Sequence, residues 1–386
     1  MRPTSAKLTP STPNTSPSSP GSSSNTAPDT GVHLRQAITT LPTYVPGARP
    51  SGDGIAKLSS NEMPFPVQDR VLTALTQAAA GASRYPEMTA TTLAEQIAVR
   101  HGVAPEQVVV GNGSVALIQH LLDTVCDEGD EVVLPWRSFE AYPICVAVAG
   151  ARAVKVPLTA QARHDLPAML AAITPRTRIV MACSPNNPTG PALTGAELRT
   201  LLEGVPGGVV VMLDEAYLDF VTDPQVEDGL THLAAHPNLV ISRTFSKAHA
   251  LAGMRVGYLV CEPVLAAAIR SVATPFGVSL PAQVAAGAAL DPEALVKTAR
   301  RVHAVMTERD RVIAAVREAG WEVPDAQGNF FWLPVGDQTA ALAEQFRAAG
   351  ILVRPFVGEG VRISIGTAEE NDRVLTLLRE VGRDRH

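Results

Sequence analysis

The sequence predicts an α/β protein: a large, doubly wound, mostly parallel sheet of about seven strands, followed by a smaller α+β lobe. Three observations carry this. From about residue 105, short β-branched runs alternate with longer helical stretches. The runs are apolar on both faces, as strands covered by helices on each side must be. After about residue 290 the texture changes, and strands and helices segregate.

The predicted strands of the large sheet are "VVVG" at 108, "EVVL" at 131, "AVKV" at 153, "IVMAC" at 179, "VVVML" at 209, "LVIS" at 239 and "VGYLV" at 256. A long helical stretch, "PEALVKTARRVHAVMTERDRVIAAVREAG", opens the second lobe. It is followed by "FFWLPV", a helix from about Thr339 to Ala349, "ILVRP", "VRISIG" and a final helix opening at "AEEND". The expected division is a low-complexity tail over 1–32, an arm over 33–60 that packs with the small domain, a large domain over 61–285 and a small one over 286–386. No internal repeat of fixed period is present.

The chain has 386 residues, 46 % of them hydrophobic, enough to bury a sizeable core. Its formal charge of -6 gives no concentrated basic surface, so neither nucleic acid nor an anionic membrane is an expected partner. Cys126, Cys145, Cys183 and Cys261 are scattered without metal or redox spacing, and read as buried free thiols in a reducing cytoplasm. No run approaches the ~20 apolar residues of a membrane span. The first thirty or so residues are rich in Ser, Thr and Pro and lack the apolar region of a secretory signal; they read as a disordered tail.

In doubly wound sheets ligands sit beyond the carboxyl ends of the strands, so the residues that follow each run carry the functional reading. "GNGS", Gly111 to Ser114, precedes a helical pattern and could seat a phosphate on free N–H groups, although a turn that merely caps a helix reads the same. "SPNNPTG", Ser184 to Gly190, encloses two side-chain amides between prolines. "DEAYLDF" puts Asp214 at the end of a buried strand, where a carboxylate is costly unless it meets a cation or caps a helix. "TFSKAHALAGMRVGY" offers Lys247 among hydroxyls, with Arg255 eight positions later. Pyridoxal 5'-phosphate uses all of these: a lysine for its aldehyde, a carboxylate for its ring nitrogen, a donor for its 3'-oxygen and an anion cradle for its phosphate.

The motifs resemble those of the fold type I pyridoxal-phosphate aminotransferases, in the branch of the histidinol-phosphate and aromatic amino acid aminotransferases. The likeness runs from "YVPG" at Tyr44 through "KLSSNE", "RYPE", "GNGS", "PWRSFEAYP", "NNPTG" and "DEAYLDF" to "TFSKAHALAGMRVGY" and "VRISIGT". It implies that Lys247 forms the imine with the cofactor, Asp214 pairs with the ring nitrogen, and Tyr217 and Asn187 hydrogen-bond the 3'-oxygen. It implies that Gly113, Ser114, Thr244, Ser246 and Arg255 hold the phosphate, and that Phe139 stacks on the ring. Tyr85 is expected to reach the phosphate of the neighbouring subunit of a homodimer. Arg362 is expected to hold the α-carboxylate of the donor and of the acceptor 2-oxoglutarate.

Two departures stand out. "NEMPFPV" replaces the family's usual "NENP[YF]GP", and His249 stands two residues after the lysine, on a helix surface or a pocket wall. Two donors compete within the branch: aromatic amino acids, which "PWRSFEAYP" and the short run from "YVPG" to "IAKLSSNE" resemble, and histidinol phosphate. A decarboxylase of an amino acid phosphate is a remoter reading, and a DNA-binding sensor lacks the helix-turn-helix or basic helix it needs.

Overall fold

The computed structural model describes residues 32, 34–39, 41 and 54–383. The expected tail, apart from Val32, and the "YVPG" motif at Tyr44 lie outside the described residues. The chain divides into two compact units, Met1–Thr40 and Leu41–His386. In the first, the described element is a short helix, Gln36–Thr39, with no buried residue.

In the second unit the strands are, in chain order, β1 Ala56–Lys57, β2 Val108–Gly111, β3 Glu131–Trp136, β4 Arg152–Pro157, β5 Thr177–Cys183, β6 Val210–Asp214, β7 Leu239–Thr244, β8 Gly257–Val260, β9 Phe330–Leu333, β10 Ile351–Leu352, β11 Arg354–Phe356 and β12 Gly360–Ser364. The seven-stranded sheet has the order β2-β8-β7-β6-β5-β3-β4, and β8 alone runs against its neighbours. Each predicted run of the large sheet is one of these strands. Their apolar character follows from burial on both faces: Val132, Val133 and Leu134 of β3 and Ile179, Val180 and Met181 of β5 are fully buried.

The register fixes where chemistry can sit. Cys183 lies beside Asp214, Asp214 beside Ser242, and Thr244 beside Gly257, which in turn lies beside Gly111. One edge of the sheet therefore collects the carboxyl ends of β2, β5, β6 and β7 together with the start of β8.

A second, three-stranded antiparallel sheet, β11-β12-β9, sets Arg354 opposite Arg362 and Arg362 opposite Trp332. A third pairs β1 with β10 in parallel, Ala56 beside Ile351. The single expected run "ILVRP" is thus two strands in different sheets, parted at Val353. The long helix covers Pro292–Glu318 and ends where Gly320 takes a left-handed φ of 84°. Its Arg309 is buried and donates to the carbonyls of Phe220 and Gly328 and to Thr222 Oγ1, tying the helix to the chain beyond β6. Among the described residues no helix is long and apolar enough to cross a membrane.

Candidate active site

A cavity of about 250 Å³ opens at the collecting edge of the large sheet, walled on its far side by β11, β12 and the segment after β1. At one end β2 turns through Gly113 into the helix Ser114–Val125. Gly113 has φ 84° and ψ 161°, a conformation open essentially only to glycine. A Cβ there would stand 2.5 Å from Arg255 Nη2, so the missing side chain lets the guanidinium close over the helix start. Arg255 also donates to Ser246 Oγ at 3.3 Å and to the Ala252 carbonyl at 2.9 Å. Thr244 Oγ1 lies 2.9 Å from Ser246 Oγ. Helix N–H groups, the Thr244 and Ser246 hydroxyls and a guanidinium converge here, the donor set an anionic phosphate requires.

Lys247 lines the same cavity and donates to the Ser60 carbonyl at 3.2 Å. Burial, helped by the charges of Arg362 and Arg255, brings its amine down to about 7. Neutral and charged forms are therefore both populated near pH 7. Asp214 ends β6, fully enclosed. Its Oδ2 accepts from Tyr142 Oη at 2.7 Å and its Oδ1 from the Ala216 N–H at 3.1 Å. Burial raises its pKa against these bonds and against the charge of Lys247, and among the described residues no cation lies in salt-bridge contact with it. A carboxylate in that position fits a ligand with a protonated ring nitrogen.

The Tyr217 phenol accepts from Asn61 Nδ2 at 3.0 Å, and burial raises its pKa. Asn187 Oδ1 accepts from Arg362 Nη1, while Arg362 Nη2 donates to the Ser59 carbonyl at 2.6 Å. Phe139 lines the cavity with its ring edge-to-face on Tyr142, centroids 5.5 Å apart. Lys247, Asp214, Tyr217, Asn187, Ser114, Phe139, Thr244, Ser246, Arg255 and Arg362 thus meet in one cavity, with Gly113 against Arg255. Tyr85 does not join them: it is 83 % exposed and packs on Phe276, ring centroids 4.8 Å apart.

Sequence reasoning missed several neighbours. Tyr142 stands one helical turn after Phe139 inside the quoted "PWRSFEAYP", and the need to satisfy a buried phenol was its only signal. Glu140 and Arg354 both line the cavity and pair at 2.6 Å, with Phe356 beside them. Ser59, Ser60 and Glu62 arrive through the β1–β10 pairing, which nothing local announces. His249 is not on a helix; it lies in the turn after Lys247 and lines a separate cavity behind Thr244. The four thiols are held protonated by burial, Cys183 at about 12, so none is a nucleophile near neutral pH.

Residues 53–378 match the family described as aminotransferase class I and II. The chain belongs to that family. An aromatic amino acid aminotransferase of Streptomyces coelicolor is 46 % identical to this aminotransferase over 358 residues, covering 92 % of this chain and 99 % of its own. One from Thermobifida fusca is 47 % identical over 349 residues, with 90 % and 96 % covered. Among solved structures, the histidinol-phosphate aminotransferase of Sinorhizobium meliloti in complex with pyridoxal 5'-phosphate matches with a TM-score of 0.82 at 27 % identity, covering 92 % of this chain and 98 % of that one. The architecture is that of the fold type I aminotransferases.

Proposed function

We propose that this aminotransferase uses pyridoxal 5'-phosphate to move the amino group of an aromatic L-amino acid (phenylalanine, tyrosine or tryptophan) to 2-oxoglutarate, yielding the aromatic oxo acid and L-glutamate. The observation that carries the reaction type is the meeting of a half-neutral buried lysine, a buried aspartate with no salt-bridge contact and a buried arginine in one cavity. The donor class rests on the relatives of 46 % and 47 % identity, which are named for aromatic amino acids.

In this reading Gly113, Ser114, Thr244, Ser246 and Arg255 would hold the phosphate, and Phe139 would lie against the ring. Asp214 would keep the ring nitrogen protonated, its carboxylate oriented by Tyr142 and the Ala216 N–H. Tyr217 and Asn187 would donate to the 3'-oxygen, and Lys247 Nζ is the atom that would carry the aldehyde. When bound, the cofactor supplies an aldehyde that takes the amino group and an electron-poor ring that draws charge from the substrate's Cα. Arg362 holds the α-carboxylate of donor and acceptor in turn, so that both substrates present the same bond to the same base. The freed Lys247 amine moves the Cα proton, a general acid–base task suited to its pKa of about 7.

The reading extends to a cytoplasmic homodimer in which Tyr85 of the partner subunit reaches the phosphate; the exposure of Tyr85, remote from its own cavity, supports that. The cofactor-binding part would run over 61–285 and the smaller part over 286–386, with 33–60 as an arm.

The test is a donor comparison with 2-oxoglutarate as acceptor, scored by kcat/KM. Aromatic amino acids are expected to exceed histidinol phosphate at least tenfold, about 1.4 kcal/mol in the transition state. The solved relative at 27 % identity makes histidinol phosphate the specific competitor, and its leading would overturn the donor assignment. Aminotransferase activity that survives in Lys247→Ala would overturn the assignment of the base.

A further inference from the structure

Behind the catalytic cavity, with Thr244 as a wall common to both, lies a second and larger one of about 740 Å³ between the large sheet and the long helix Pro292–Glu318. Its size is in the range of small-molecule sites, and nothing in the reaction above uses it. Its lining sorts into three kinds of surface. Leu295, Val302 and Met306 of the long helix give an apolar floor. Arg243 is engaged by ion pairs with both Glu215 and Asp228, a cluster with one carboxylate in excess, and His101 Nε2 is occupied with Tyr258 Oη at 2.8 Å. Two charged side chains of opposite sign, Arg100 and Asp219, are exposed and have no hydrogen-bond or ion-pair partner among the described residues.

Arg100, Asp219 and His249 all line this one cavity. Burial holds His249 neutral. Its Nδ1 is enclosed without a partner, while Nε2 is not among the enclosed unpartnered atoms and the residue lines the cavity. A bare enclosed acceptor costs less than an orphaned N–H, so the proton belongs on Nε2 and points a donor into the cavity. A histidine donor, a guanidinium and a carboxylate without protein partners, and an apolar floor, all in one cavity, match one class of small molecule. We propose that this second cavity binds a free α-amino acid with an apolar side chain, its carboxylate on Arg100 and His249, its ammonium on Asp219 and its side chain on the long helix. The unusual histidine after the catalytic lysine then has a task outside the reaction. A simple anion would leave Asp219 without a partner, and a simple cation would leave Arg100 and the His249 donor without one.

The test is equilibrium dialysis of labelled L-phenylalanine against holoenzyme reduced with borohydride, in which the cofactor is fixed and the catalytic site cannot turn over. Cofactor absorbance that persists through denaturation reports separately on Lys247 and on the proposed reaction. The expected result is saturable binding to the native chain that weakens roughly tenfold or more in Arg100→Ala and in Asp219→Asn, is kept in Arg100→Lys, and is unchanged in Arg362→Ala. Unreduced Arg100→Ala and Asp219→Asn are expected to keep native kcat/KM for the donor, which shows them folded. Absence of binding up to about 10 mM, or binding lost in Arg362→Ala but kept in the Arg100 and Asp219 variants, overturns the proposal.

Discussion

Gly113→Ala isolates the fit between the helix start and Arg255. The backbone at φ 84° and ψ 161° disfavours any Cβ, at a cost of about 1–3 kcal/mol to the folded chain whether or not cofactor is present. A separate effect falls on cofactor affinity. The new methyl would lie 2.5 Å from Arg255 Nη2, well inside contact distance, and the guanidinium is the flexible partner, so it must swing away. One charge-assisted hydrogen bond to the phosphate is then lost, worth about 1.5–3 kcal/mol, so the Kd for pyridoxal phosphate should rise roughly ten- to hundredfold. Titrating apoenzyme with cofactor by absorbance measures this directly, and thermal unfolding of the apoenzyme measures the strain. Because the glycine acts through the arginine, the double variant Gly113→Ala/Arg255→Ala should bind about as weakly as Arg255→Ala alone. A Kd within threefold of the native value in Gly113→Ala, or losses that multiply in full in the double variant, would refute the reasoning.

The pH dependence follows from the depressed Lys247 amine. Its neutral form grows as pH rises through about 7, so kcat at saturating donor should climb through that value and level off above it. Arg362 is a cation that disfavours the ammonium form; Arg362→Gln should therefore raise the amine's pKa and move the rising limb to higher pH, and a limb that stays in place counts against this cause. Arg309→Ala would strip the carbonyls of Phe220 and Gly328 of a buried donor and lower stability by about 3 kcal/mol in a urea titration, whereas a loss below ~1 kcal/mol would mean that water replaces the guanidinium.

Much of this molecule is legible in its sequence. A buried parallel strand must be apolar on both faces, and the turn after it must break that run with Gly, Pro or a polar group. Both signals are local, so β2 to β8 and the residues at or just after their ends stood out: Gly113, Asn187, Asp214 and Lys247. The boundary at Val353 did not, because the choice between one strand and two depends on which sheets β10 and β11 can reach.

Contacts made at long range were equally silent. Tyr142 reaches Asp214 across 72 positions, and Arg362 reaches the Ser59 carbonyl across 303, through packing that no local pattern encodes. The same holds for the cavity between Arg100, Asp219 and the long helix. The sequence by itself determined which side chains stand at the ends of the strands, because strand periodicity and turn chemistry are properties of neighbouring residues. Only the tertiary structure decided their chemical state: Lys247 is brought down to about 7 because burial, Arg362 from a distant strand and Arg255 folded back from its own motif disfavour its charge.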